Sequence, residues 1–149
     1  PHLLAWVHVT EATSFLAAWV RYAEPRMSTA DQDRYFAEMA EVGSRLGADP
    51  LPRSRAEARR LIEDYRPELL ADARTAEVRD LVLNQPSSTP ALARFQTVAM
   101  QAGVDLLPVW ARELHGLPPA PLGSRTGALA IAQTLRWAFA GERYRDTAD

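Results

Sequence analysis

The chain contains neither cysteine nor lysine. Without thiols it forms no disulfide, zinc–thiolate or iron–sulfur site and has no thiolate nucleophile. The absence of lysine, alongside abundant alanine, reads as a coding bias without functional weight. Acidic and basic residues nearly balance at 19 against 17, a net charge of −2, so no overall basic field recruits nucleic acid. Arg53, Arg55, Arg59 and Arg60 are broken up by Glu57 and Glu63 and read as a solvated helix face. No serine lies in a Gly-x-Ser-x-Gly elbow, and no glycine-rich phosphate loop is present. No membrane span is expected, because the most apolar stretches carry Glu11, Arg21, Asp105 or Arg136. No basic region followed by an apolar stretch opens the chain, so cytoplasmic is the default expectation for a compartment the sequence leaves unknown.

What is present is a 149-residue chain with 47% hydrophobic residues, long enough to bury about two-thirds of its unfolded surface in one domain. Pro1-His2-Leu3-Leu4 runs straight into a helical pattern with no initiator methionine. The expectation is therefore a single helical domain over 1–149 that forms the C-terminal part of something larger.

Apolar residues recur at helical spacing from Leu3 to Tyr22, and Trp6, Leu16 and Val20 widen the stripe, which predicts a helix buried on most sides. Glu24-Pro25 ends it. Ser28 caps a second helix with a core face of Tyr35, Phe36, Met39, Val42 and Leu46, closed by Gly47. Ser54 caps a third that contains Leu61, Ile62 and Tyr65, and Pro67 interrupts it. A further helix is expected from Glu68 through Leu83, then a loop over Asn84–Pro90. Ala91 to Asp105 repeats at three- and four-residue steps until Leu107-Pro108 breaks the pattern, and Trp110 to His115 is a short helix stopped by Gly116. A last helix is expected from Ser124 to Tyr144, burying Leu129, Ala132, Leu135, Trp137 and Phe139. No alternating β-branched run occurs, so the predicted fold is an all-α multi-helix bundle.

Of three histidines, His2 reads as a solvent residue at the frayed start, and His115 as a capping imidazole before Gly116. His8 stands inside the most apolar helix. An imidazole there needs partners for its nitrogens, or costs about 1–3 kcal/mol for each unmatched group. Read from composition alone, His8 is a core histidine bonded to a backbone carbonyl, Thr10 or Glu11. Glu11, at i+3, shares its helix face, but no second such pair exists, which argues against a dinuclear metal site.

Leu3-Leu4-Ala5-Trp6-Val7-His8-Val9-Thr10-Glu11-Ala12, followed by Ser14-Phe15-Leu16 and Arg21-Tyr22, resembles the hallmark segment of the MpaB-type oxygenases and latex-clearing rubber oxygenases. Leu106-Leu107-Pro108, Arg112 and Gly116-Leu117-Pro118 resemble a second family segment. Asp33-Arg34-Tyr35, the Gly43–Gly47 stretch and Leu51-Pro52 fall between them in the family's order. The resemblance implies a helical haem b-binding domain and a haem-dependent oxygenase. It makes His8 the iron ligand, with Trp6, Glu11 and Phe15 beside the cofactor. The implied partners are dioxygen and an apolar small-molecule or polymer substrate, isoprenoid or otherwise alkene-bearing. In the family the distal side of the pocket, including an arginine, comes from upstream residues that have no counterpart here. A non-catalytic helical binding or partner-interaction module that keeps the fold without haem is the alternative. A homo-oligomer is compatible with the apolar first helix.

Overall fold

The computed structural model describes residues 1–118 together with Thr126, Gly127, Leu129, Ala130 and Gln133. The described residues form six α-helices and contain no strand, so the chain is all-α as its periodicity predicts. It divides into two compact units, Pro1–Leu70 and Ala71–Asp149.

In the first unit α1 (His2–Tyr22) packs on α2 (Thr29–Arg45) and α3 (Arg55–Tyr65), and a 3-10 turn over Arg66–Glu68 follows. Side-chain caps start the two shorter helices. Ser28 Oγ accepts the Asp31 N–H at 3.1 Å, and Ser54 Oγ accepts that of Glu57 at 3.2 Å. The Glu57 carboxylate reaches back to the Arg53 N–H at 2.7 Å, so two otherwise orphaned donors are satisfied at the start of α3. Asp33 of α2 accepts the Arg55 N–H at 2.9 Å and ties the two helices at that corner.

The core is built largely from small residues. Ala5, Val9, Ala12 and Leu16 of α1 meet Phe36, Ala40 and Gly43 of α2 and Ala58 of α3. Alanine and glycine let the backbones approach closely, and Phe36, 3% exposed, fills the remaining space.

Two expectations about burial need correcting. α1 is buried on one side only: Leu4, Val7, Phe15 and Trp19 are about half exposed, because α2 and α3 both pack against its opposite face. Likewise Val42 and Leu46 stand exposed, because the buried line of α2 runs through Phe36, Ala40 and Gly43. Toward the C-terminal end of α2 the small residues Ala40 and Gly43 occupy that line, and the bulkier Val42 and Leu46 lie beside it. α1 is also, by length and composition alone, apolar enough to cross a membrane, despite Glu11 and Arg21. Core helices of soluble proteins and N-terminal signal sequences both pass the same test, and α1 packs on α2 and α3.

In the second unit α4 (Ala73–Leu83) begins later than expected from Glu68. Leu69 is extended, and Asp72 caps the helix by accepting the Thr75 N–H at 2.9 Å. That hydrogen bond holds the exposed Asp72 carboxyl below its ordinary pKa. α5 (Pro90–Leu106) starts with Pro90 in its first turn, where no N–H is needed, and Thr89 caps it. Leu107-Pro108 ends α5. α6 (Val109–Leu114) then stops at Gly116, whose φ of 61° is left-handed and suits glycine. Thr126, Gly127, Leu129, Ala130 and Gln133 are helical, and the rest of the helix expected from Ser124 to Tyr144 lies outside the described residues.

One-sided burial of α1 has a measurable consequence. Phe36→Ala should cost about 3–5 kcal/mol in chemical denaturation, whereas Phe15→Ala should stay within about 0.5 kcal/mol. Equal losses would mean that the outer face of α1 is covered.

Candidate functional site

Among the described residues His8 is the one polar or charged residue that is buried, at 6% exposure. Its place on α1 explains why. Its ring lies between Ala5 and Ala12 on the buried side and Leu4, Glu11 and Phe15 on the exposed side, at the three-, four- and seven-residue spacings that align along a helix. Within the described residues neither ring nitrogen makes a hydrogen bond.

The nearest structural device is Gly43 on α2. A Cβ at that position would come 2.9 Å from both Cδ2 and Nε2 of His8, and closer still to Leu51 Cδ2. The Nε2 edge of the imidazole therefore occupies space that only glycine leaves free, shared with a leucine from the segment after α2. Gly43 is helical and not at a left-handed turn, so it is explained by close approach and not by backbone conformation.

The other residues singled out with His8 are distributed around α1. Phe15, 58% exposed, lies on the same side as His8. Glu11 is exposed and makes no hydrogen bond with His8 in the structure; its charge acts instead on Tyr35, whose hydroxyl is pushed above its ordinary pKa first by burial and then by Glu11. Trp6 is two residues from His8, about 200° around the helix, and its ring packs on Tyr65 with centroids 5.2 Å apart. His8, Glu11 and Phe15 are thus brought together, and Trp6 points elsewhere. Thr10 uses its hydroxyl on its own helix, donating to the carbonyls of Trp6 at 2.9 Å and Val7 at 3.0 Å, and is not a partner of His8.

His2 is less free than a frayed end suggests. Its Nε2 pairs with Glu68 at 3.0 Å, and its Nδ1 lies 3.2 Å from the Tyr65 hydroxyl, which donates to the His2 carbonyl at 2.7 Å. Together with the Trp6 ring contact, this fastens the start of α1 to the end of α3 and the following turn. Tyr65, 5% exposed, has its hydroxyl pKa raised by burial and secondarily by Glu68.

Sequence reasoning passed over Gly43, Leu51 and Tyr65 as site residues. A glycine in a helix interior, which costs about 1 kcal/mol relative to alanine, was the available signal for Gly43. Nothing in the sequence links Leu51 to His8 without the fold. No three histidine or carboxylate side chains converge among the described residues, so a metal held by protein ligands alone finds no site there.

Residues 1–138 match the family model described as ER-bound oxygenase mpaB/B'/Rubber oxygenase, catalytic domain. No curated protein and no solved structure matches the chain.

Two outcomes follow from this geometry. Gly43→Ala should destabilise the chain by about 1–3 kcal/mol in denaturation, despite alanine's better helix propensity, because the methyl group displaces His8 or Leu51. A stabilised variant would show that the ring has room to move. For Tyr65 the folded pKa lies above the unfolded value of about 10, so the neutral phenol is favoured in the fold. Its contribution is fully present below about pH 10 and is lost as pH rises through the folded value. Tyr65→Phe should therefore lose less stability than the parent chain between about pH 9 and pH 12, with Tyr35 titrating in both. Parallel curves would show that the phenol is not held neutral by the fold.

Proposed function

Because the chain belongs to the family of MpaB and rubber-oxygenase catalytic domains, we propose that it is a haem b-dependent oxygenase in which His8 is the axial ligand to the iron. One observation carries this reading: the buried polar residue among the described residues is an imidazole without a hydrogen-bond partner there, in the helix segment that carries the family resemblance. The donor set fits a haem, which asks the protein for one neutral nitrogen.

The residues divide the work as follows. His8 would hold the iron through a ring nitrogen. Leu4 and Phe15, exposed on the same side of α1, give an apolar wall against which a macrocycle would lie. Glu11, one turn from His8 and without a hydrogen bond to it in the structure, would be the side-chain acceptor within reach of its second ring nitrogen. Trp6 works at a distance by holding α1 on Tyr65. The haem, when bound, supplies the redox chemistry by which dioxygen is turned on an apolar, alkene-bearing substrate.

A second reading is favoured by the same contact seen differently. The His8 ring edge lies close on Gly43, as a well-packed core residue does. The chain would then be a helical binding module that keeps the family fold without haem.

Absorption spectra and a pyridine haemochrome assay on the full-length protein and its His8→Ala variant, both expressed with haem supplied, separate the two. The expected result is a Soret band in the parent that His8→Ala loses while far-UV circular dichroism is retained. Absence of haem from the parent protein, or haem retained in full by His8→Ala, would overturn the assignment.

A further inference from the structure

We propose that the connector between α2 and α3 is a positioning element for His8, in which Leu51, together with Gly43, sets the direction of the imidazole ring. The inference rests on the reading of His8 as the iron ligand and concerns what aims it.

Leu51 Cδ2 and the Cδ2–Nε2 edge of His8 converge on one point, the place that a Cβ at Gly43 would take. The two ring atoms would lie 2.9 Å from it, and the leucine methyl nearer still. That edge of the ring is therefore bounded by the α2 backbone and by one half-buried leucine. Among the described residues no hydrogen bond orients the ring, so packing has that task. The hold of an imidazole on a metal depends on the groups that fix its orientation.

The connector is built to deliver Leu51 to that point. α2 ends in a Schellman reversal at Gly47, whose φ is 80°. The Ala48 N–H returns to the Gly43 carbonyl at 3.0 Å, and the Gly47 N–H to that of Ser44 at 3.0 Å. The chain thus folds back on the same glycine that leaves room for the leucine. Ala48 and Pro52 are buried on either side of Leu51 in the sequence. At the far end Glu57 accepts the Arg53 N–H at 2.7 Å, and Asp33 of α2 accepts that of Arg55 at 2.9 Å. Leu51 is held between two anchored ends. Gly47 gives a handle outside the site: a Cβ there meets nothing within 4 Å, so Gly47→Ala acts through the left-handed backbone alone.

Two readings on the haem-loaded full-length protein test the assignment: the rate of haem loss to excess apomyoglobin, and the ferric electron paramagnetic resonance spectrum. Leu51→Ala and Gly47→Ala should each speed haem loss by about tenfold or more and shift the ferric signal. Leu51→Met, which conserves volume, should return both readings toward the parent. Leu61→Ala trims a side chain packed on the core of the same unit. It should lower the melting temperature and leave both readings in place. If Leu51→Ala fails to fold, Gly47→Ala decides. Parent-like readings in the folded variants, or an equal change in Leu61→Ala, would overturn the positioning role and leave the haem reading intact. A parent protein without haem overturns both.

Discussion

The separation at which α1 lies on α2 and α3 is the constraint from which the rest of the first unit follows. It is set by Ala5 and Ala12 on one side and by Ala40, Gly43 and Ala58 on the other. With larger residues at these places the backbones would stand further apart, and Phe36 and Val9 would no longer fill the space between them. At the observed separation the His8 ring reaches α2, and Gly43 is the residue that makes the approach tolerable. A glycine inside a helix is a local cost. Its position under the imidazole shows what that cost secures, namely a buried nitrogen-bearing ring in a fixed place. The polar fastening by Tyr65, His2 and Glu68 serves the same end from the start of α1.

α1 consequently has two apolar faces with different fates. One is spent on the core, while the other displays Leu4, Val7, Phe15 and Trp19. His8 lies on the boundary between them. The ring therefore touches the packed face through Gly43 and borders the exposed apolar face through Leu4 and Phe15.

Much of the fold was readable from the chain. Helix limits set by Ser28, Ser54, Pro67 and Leu107-Pro108 follow from capping chemistry and from what proline forbids, and these are local effects. On α2 the expected core face holds for Tyr35, Phe36 and Met39 and fails toward the C-terminal end. Val42 and Leu46 have the size expected of core residues, but contact is decided by the partner helices, which select the line through Ala40 and Gly43. The start of α4 was placed too early for a related reason: hydrophobic spacing continues through Leu69 and Leu70, while Asp72 offers the cap that fixes the end. At the site, His8 could be picked out by its apolar surroundings and by the resemblance of the segment that holds it. Its relation to Gly43 and Leu51 could not, because residues 35 and 43 positions away meet it only through the packing of α1 on α2.

The two units differ in how closely they are packed, and that difference bears on where the chain tolerates change. In the first, α1, α2 and α3 each bury residues, and a methyl group at Gly43 would intrude on His8 and Leu51. In the second, α4 buries none of its residues, and a Cβ at Gly103 meets nothing within 4 Å. Substitution is therefore least tolerated where it would displace the imidazole.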